Sequence, residues 1–143
     1  MENIVKETYS EKETFDFAAQ LAKEALPGQV YCLNGDLGVG KTVFARGFGA
    51  GLGIDEPIVS PTFTILKEYD DGRIPLYHFD VYRIGSSDEM EEVGYFDKLD
   101  KADGVCLIEW SVLIEDVIPE DAIKVEIIKD NEKGFDYRRI VVG

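Results

Sequence analysis

The chain has 143 residues, 45% of them hydrophobic, which is enough to bury the core of one domain. Its 29 acidic and 15 basic residues give a formal net charge of −14, which opposes direct binding to DNA, to tRNA backbones and to anionic membranes. The sequence has neither an apolar run long enough to cross a membrane nor the apolar stretch of a signal peptide near residue 1. We therefore expect a single cytoplasmic domain over residues 1–143.

A strand and a helix are predicted at the start of the chain. Residues 3–8 are typical of a short strand, and Ser10 followed by Glu13 predicts a capping box at a helix start. Apolar residues then recur at spacings of three and four until Pro27. The apolar run of residues 30–33 predicts a buried strand over residues 29–34.

The second predicted strand leads into the pattern Gly35-Asp36-Leu37-Gly38-Val39-Gly40-Lys41-Thr42. This segment, the Walker A loop, matches the P-loop pattern G-x-x-x-x-G-K-[ST] at every fixed position. Glycines let backbone N–H groups converge on phosphate oxygens, Lys41 supplies a cation for the β- and γ-phosphates, and the Thr42 hydroxyl can ligate Mg²⁺. Helical spacing after the loop adds a helix N-terminus, which favours anions. The sequence therefore predicts a nucleotide site.

The rest of the chain predicts additions to this strand–loop–helix unit. The glycine-rich stretch 47–53 is expected to end the helix. Four further segments follow, namely a hairpin of residues 64–69 and 74–79, a weakly helical region 86–99, a buried strand 105–110, and a hairpin of residues 123–128 and 137–142. We predict an α/β fold, P-loop NTPase-like and three-layered, whose mixed central sheet carries antiparallel hairpins and is flanked by helices.

Two acidic residues at predicted strand ends are candidates for chemistry beyond the Walker A loop. Glu109 follows four apolar residues, as in a Walker B strand, and can ligate the metal, polarise the attacking water, or do both. Strand alternation places Asp80 on one face with His78 and Tyr82. An exposed sheet face is the alternative for these three residues, and a structural hydrogen bond is the expected role of His78.

Other residues carry weaker signals. Thr62 can reach Mg²⁺ from a loop, as switch-type threonines do, and Arg83 can neutralise transition-state charge, although a surface ion pair explains it equally well. Trp110 is expected in a core or an interface. The cysteines, Cys32 and Cys106, are expected to be buried free thiols.

Residues 100–103, Asp-Lys-Ala-Asp, superficially resemble the guanine-reading pattern [NT]-K-x-D. The segment follows no buried strand, its first position is not an amide or hydroxyl residue, and no D-x-x-G occurs in the chain. We interpret it as a charged turn and favour ATP over GTP.

Four motifs in order and spacing resemble the bacterial TsaE (YjeE) family, and these are the Walker A loop, Ser60-Pro61-Thr62-Phe63, His78-Phe79-Asp80-Val81-Tyr82-Arg83 and Ile108-Glu109-Trp110. The resemblance implies an ATPase, weak alone and dependent on a partner, that is required for tRNA N6-threonylcarbamoyladenosine formation. It also implies that the protein acts on a TsaD–TsaB heterodimer and meets tRNA only indirectly.

The same resemblance implies roles for individual positions. Asp36 to Thr42 would bind the phosphates of ATP, Thr42 and Glu109 would hold Mg²⁺, and Asp80 would lie near the γ-phosphate with Trp110 beside it. Lys41, Asp80 and Glu109 are the implied catalytic residues. Three further positions are implied contacts on the base side of the nucleotide, namely Ser10, Thr14 and Arg138, and helix capping is the competing role of Ser10.

Two alternatives stay open from the sequence. A small-molecule P-loop kinase would need an acceptor pocket and an arginine-bearing lid, and none of the five arginines belongs to a cluster in a lid-like insertion. A nucleotide-binding interaction module without significant catalysis would carry the same Walker A loop.

Overall fold

Seven strands form one mixed sheet in the computed structural model, which describes residues 3–36, 38–59, 61 and 64–143. The strands in chain order are β1 (Ile4–Thr8), β2 (Val30–Asn34), β3 (Leu66–Tyr69), β4 (Leu76–Asp80), β5 (Val105–Glu109), β6 (Ile123–Lys129) and β7 (Arg138–Val142). Their order across the sheet is β1-β7-β6-β2-β5-β4-β3. The central strands β6, β2, β5 and β4 are parallel, and the outer pairs β1–β7, β7–β6 and β4–β3 are antiparallel.

Helices cover both faces of this sheet. The helices are α1 (Glu11–Lys23), α2 (Lys41–Gly51), α3 (Glu89–Glu92) and α4 (Tyr95–Lys101), with 3-10 helices at Ser111–Val117 and Asn131–Lys133. The predicted α/β architecture with a mixed sheet between helices is therefore confirmed. Among the described residues, none of the helices has the length and apolar character needed to cross a membrane.

Strand alternation divides the core into two clusters. Leu33, Leu76 and Leu107 belong to the cluster that includes α1 and α2, which we call the helical face. The opposite face of the sheet buries Cys32 and Phe79 with side chains from α3, α4 and the first 3-10 helix. Because parallel central strands are covered on both sides, they consist of nearly continuous apolar runs.

Helix α2 ends at Gly51, inside the glycine-rich stretch that was predicted to end it, but it continues through Gly47 and Gly49. A Cβ atom at Gly47 would overlap the backbone carbonyl of Phe15, and one at Gly51 would overlap the backbone carbonyl of Ala19. The backbones of α1 and α2 therefore touch along this seam. Glycine lowers intrinsic helix propensity, but only glycine permits this close approach.

The weakly helical prediction for residues 86–99 corresponds to α3 and α4. Met90 and Tyr95 point into the opposite face of the sheet and are fully buried, and Val93, Phe96 and Leu99 pack partly buried against the same cluster. The Tyr95 hydroxyl donates to the backbone oxygen of Val117 at 2.9 Å. Two anchoring side chains thus fix a segment whose sequence shows little helical periodicity.

Asp100 and Lys101 are the last residues of α4, so the predicted charged turn is limited to Ala102 and Asp103, which lead into β5. The Tyr77 hydroxyl donates to Asp103 at 2.7 Å, and this hydrogen bond lowers the pKa of the Asp103 carboxyl. These residues precede β5, whereas the Walker A loop follows the parallel strand β2. The segment therefore lies at the amino ends of the parallel strands, whereas the candidate site lies at their carboxyl ends.

Candidate functional site

The Walker A loop connects β2 to α2 through glycines in left-handed conformations. Gly38 has φ 76°, and Gly40, the N-cap of α2, has φ 108°. Side chains other than glycine are strained in this region, which explains Gly40 at a fixed position of the pattern and the additional glycine at position 38. A turn inside the loop is closed by the Val39 amide, which donates to the Asp36 carbonyl at 3.2 Å.

Arg138 on β7 braces the Walker A loop from the side. Its Nε donates to the Val39 carbonyl at 2.5 Å, and its Nη1 donates to the carbonyls of Phe135 and Tyr137 at 2.9 and 2.7 Å. Thr14 and Arg138 line a small cleft of about 70 Å³ together with Gly38 and Gly40. Two positions implied as base-side contacts thus lie beside the loop, and that role stays a prediction.

Ser10 is engaged at the start of α1. Its hydroxyl accepts from the Glu13 amide at 3.1 Å, and the Glu13 carboxylate accepts from the Tyr9 amide at 3.2 Å. The predicted capping box is therefore present, although the return bond reaches one residue before the N-cap. The competing explanation for Ser10, helix capping, describes its contacts in this structure.

A larger cleft of about 330 Å³ lies above the first turn of α2. It is lined by Gly38, Gly40, Lys41, Thr42, Asp80, Glu109 and Trp110. The carboxyl ends of β2, β4 and β5 are neighbours because these strands are parallel, and the register pairs Asp80 directly with Glu109. The sheet therefore gathers residues that are nearly seventy positions apart in the chain.

Glu109 is buried at the end of β5, with 6% of its surface exposed. His78 on β4 is 1% exposed, and its Nε2 lies 2.6 Å from Glu109 Oε2. The exposed sheet face that was the alternative for His78 is thereby wrong, and Glu109 at the end of the neighbouring strand is buried as well. The expected structural hydrogen bond of His78 is present, and its partner is the candidate catalytic carboxylate.

Asp80 ends β4 and caps the turn that follows. Its Oδ1 accepts from the Tyr82 amide at 3.1 Å, and the residue is half-buried. The predicted alternation holds for His78 and Asp80 but fails at Tyr82, because the chain leaves the strand after Asp80. Tyr82 and Arg83 are both exposed in this turn.

Trp110 links the strand end to the Walker A lysine. It has φ 64°, a left-handed conformation that is strained for a large side chain. The Lys41 Nζ lies 4.2 Å from the centroid of its ring, and the Tyr82 ring centroid lies 4.8 Å from it. Trp110 also packs against the apolar cluster of the opposite face, as expected for a core residue.

The structure thus brings together Lys41, Thr42, Asp80, Glu109 and Trp110. Two candidates of the sequence analysis, Leu37 and Thr62, lie outside the described residues, as do Ser60 and Phe63 of the second motif. The sequence analysis missed the pairing of His78 with Glu109 and the brace that Arg138 provides. Strand alternation contained part of the first signal, but the adjacency of β4 and β5 was needed to complete it.

Comparisons with known proteins match this chain over nearly its whole length. The family model described as "Threonylcarbamoyl adenosine biosynthesis protein TsaE" matches residues 8–140. A tRNA threonylcarbamoyladenosine biosynthesis protein TsaE from Bacillus subtilis is 46% identical over 140 residues, which cover 98% of this chain and 85% of the relative. A TsaE protein from Nostoc is 42% identical over 115 residues, covering 78% and 70% of the two chains.

A solved structure agrees with these matches. The crystal structure of YdiB from Bacillus subtilis superposes with a TM-score of 0.77 at 42% identity, covering 99% of this chain and 84% of that chain. Since the family model and the relatives extend across the motifs that line the cleft, the chain belongs to the TsaE family.

Proposed function

We propose that the protein is a Mg²⁺-dependent ATP-binding and ATP-hydrolysing accessory protein of tRNA N6-threonylcarbamoyladenosine formation, and that it acts on a TsaD–TsaB complex. The observation that carries this proposal is the cleft in which Lys41 and Thr42 meet Asp80 and Glu109. Its relatives are named for the biosynthesis of the same tRNA modification.

The residues around the cleft fit the phosphates of ATP. Glycines at positions 38 and 40 leave the loop backbone accessible, and the N-terminus of α2 favours anionic groups. The ammonium of Lys41 would contact the β- and γ-phosphates. Trp110 closes one side of the cleft, and the Arg138 brace holds the loop from the other side.

The donor set also fits Mg²⁺. Oxygen ligands suit this ion, and the cleft offers the Thr42 hydroxyl with the carboxylates of Asp80 and Glu109. The described residues contain no cluster of three or more His, Cys, Asp or Glu side chains that would hold a metal on their own. Mg²⁺ is commonly held by one or two protein ligands, water and substrate phosphates, so Thr42 with one carboxylate would suffice on the protein side. When bound, the ion would neutralise charge on the γ-phosphoryl group.

An accessory role agrees with the charge of the chain. A net charge of −14 opposes direct contact with the tRNA backbone, so the partner that binds this protein would be a protein rather than the nucleic acid. Hydrolysis that changes contacts with such a partner would give a cycle of association and release.

The contacts of Arg73 and Arg138 do not support the kinase alternative. Arg73 donates to the carbonyls of Ala22 and Ala25 at 2.9 and 3.0 Å, so it caps the C-terminus of α1. Arg138 donates to three carbonyls around the Walker A loop. Both therefore have structural partners, whereas a kinase lid needs arginines that reach a transferred phosphoryl group.

The test is steady-state ATP hydrolysis with Mg²⁺, measured alone and with purified TsaD–TsaB and tRNA. We expect slow turnover alone and a clear change in the presence of the partners. Lys41→Ala should lower the rate at least about a hundredfold, since it removes the cation from the phosphates. Lys12→Ala is the matched control, because Lys12 is an exposed lysine on α1 paired with Asp16.

Nucleotide binding without hydrolysis, both alone and with the partners, would contradict the ATPase and support the interaction module. A labelled phosphate that appears on a metabolite from a cell extract would instead support the kinase. An unchanged rate of ATP hydrolysis in Lys41→Ala would show that the Walker A loop does not take part in the reaction.

A further inference from the structure

His78 is a buried polar residue, and burying such a residue is expected to lower the stability of the fold. It lies in the central part of the sheet on β4, 1% exposed, and its Nδ1 is buried with no hydrogen-bond partner among the described residues. An unsatisfied buried polar atom destabilises a fold relative to an apolar side chain of similar shape. Leu76, two residues earlier on the same face, is such an apolar side chain. Packing alone therefore does not explain a histidine at this position.

The other ring nitrogen of His78 faces Glu109. An ionised carboxylate only accepts hydrogen bonds, so the 2.6 Å contact with Oε2 requires the hydrogen of His78 to be on Nε2. The bond occupies one carboxylate oxygen and leaves Oε1 for the cleft that Glu109 lines. A carboxylate held in this way loses its rotational freedom about the last side-chain bond.

The pair lies directly beneath the first turn of α2. His78 and Glu109 line a tight gap together with Thr42, Ala45 and Ile58. Thr42 and Glu109 line both this gap and the cleft of about 330 Å³, so they lie between His78 and the cleft. His78 itself is not among the residues that line the larger cleft.

We propose that His78 is a positioning residue, whose Nε2–H holds the Glu109 carboxylate in the orientation needed for Mg²⁺ or for the attacking water. This inference rests on the proposed ATPase function. His78 contacts neither nucleotide nor metal in this arrangement, and it acts on the reaction only through Glu109. Preorganised groups around a reacting phosphate account for much of the catalysis of phosphoryl transfer.

Two amide substitutions separate positioning from general packing. The amide nitrogen of Gln lies near the place of a histidine Nε2, whereas that of Asn lies near the place of Nδ1. We expect His78→Gln to keep kcat for ATP hydrolysis within about threefold of wild type, because a donor still reaches Glu109. His78→Asn should lower kcat by about tenfold or more while the KM for ATP changes by less than about twofold.

A double-mutant cycle tests whether the effect passes through Glu109. In the Glu109→Gln background, His78→Asn should cause no further loss of the residual rate, since the oriented group is already altered. Thermal unfolding and nucleotide affinity are measured for every variant, so that a folding defect is recognised by the loss of both.

Equal rates for His78→Gln and His78→Asn would overturn the proposal, as would a full additive loss in the double variant. A loss of nucleotide affinity in parallel with kcat would also overturn it and assign His78 a packing role. Failure of the proposed function is a different result, because the wild-type protein would then show no hydrolysis with or without partners.

Discussion

The two faces of the sheet solve the same packing problem in different ways. On the helical face, α1 and α2 approach until their backbones touch at Gly47 and Gly51. On the opposite face, short helices place single large side chains such as Met90 and Tyr95 into the core. The helical face also carries the polar residues of the site at its carboxyl edge, whereas the opposite face buries both cysteines in apolar surroundings.

This difference shows how one set of strands serves two purposes. Alternation sends Leu107 and Glu109 of β5 to the helical face and Cys106 and Ile108 to the opposite one. The candidate site lies where α2 begins, because the Walker A loop fixes the position of Lys41 and Thr42 there. The opposite face supports the strands from behind and contributes mainly burial.

The largest expected effect is a loss of stability when the contact between α1 and α2 at Gly47 is disrupted. Gly47→Val places a branched side chain against the Phe15 carbonyl, so the helices must separate, and we expect the free energy of unfolding to fall by more than about 3 kcal/mol. Urea denaturation measures this change. Ala50→Val is the matched control on the exposed side of α2 and should cost less than about 1 kcal/mol. Similar losses in the two variants would show that the seam is not tightly packed.

An intermediate effect is expected from the opposite face at alkaline pH. Burial raises the pKa of the Cys106 thiol from 9.0 to about 12 and also raises the pKa of Cys32. Between these two pH values the unfolded chain loses the Cys106 proton and the folded protein keeps it. Stability is therefore complete below pH 9 and falls as the pH rises toward 12, by at most about 1.4 kcal/mol per pH unit for this thiol.

Urea unfolding of wild type and Cys106→Ala at neutral pH and at pH values above 9 tests this expectation. The variant should start from a lower stability because a small cavity replaces the thiol, and it should show a flatter decline with pH. Tyrosines whose pKa is raised by burial without a contribution from Cys106, such as Tyr31 and Tyr69, contribute to both proteins and cancel in the difference. Parallel declines would show that the thiol ionises equally in both states.

The smallest expected effect is on nucleotide affinity and concerns Trp110, which lies where the two faces of the sheet meet. Its ring packs with the opposite face and also receives the Lys41 ammonium at 4.2 Å. We expect Lys41 to leave the ring when it contacts a phosphate, so Trp110→Leu should tighten nucleotide binding by about two- to fivefold, as expected for the loss of one weak cation–π contact. Titration with a fluorescent ATP analogue measures the affinity.

Tyr82→Leu is the control for this effect, because it removes the ring that packs at a tilt against Trp110 and leaves the lysine contact in place. Its affinity should equal that of wild type. Weaker binding in Trp110→Leu would show that the indole itself contacts the nucleotide more strongly than it holds the lysine.

The parts of the fold that were predictable have local signals. The Walker A loop, the helix that starts after Ser10 and the buried strand ending at Glu109 each combine a short pattern with clear periodicity. The family resemblance added the order of the motifs, and the comparisons confirm it. Asp80 and Glu109 were selected as strand-end acids, and the structure places both in one cleft.

The remaining features depend on contacts between distant segments. Gly47 reads as a helix breaker until the carbonyl of Phe15 is placed beside it. The burial of His78 follows from the pairing of β4 with β5, which no local pattern specifies. Tyr82 was misplaced because alternation was extended past the end of the strand by two residues.

The seam between α1 and α2 also sets an uneven tolerance to substitution. The obstacles to a side chain at Gly47 and Gly51 are the backbone carbonyls of Phe15 and Ala19, which every amino acid possesses. Replacing Phe15 or Ala19 therefore makes no room for a larger residue opposite. As far as this contact is concerned, Phe15 and Ala19 on α1 can be replaced by other residues. No substitution on α1 would make room for a larger residue at Gly47 or Gly51 on α2. A combinatorial library of both helices should recover varied residues on the first and glycine on the second.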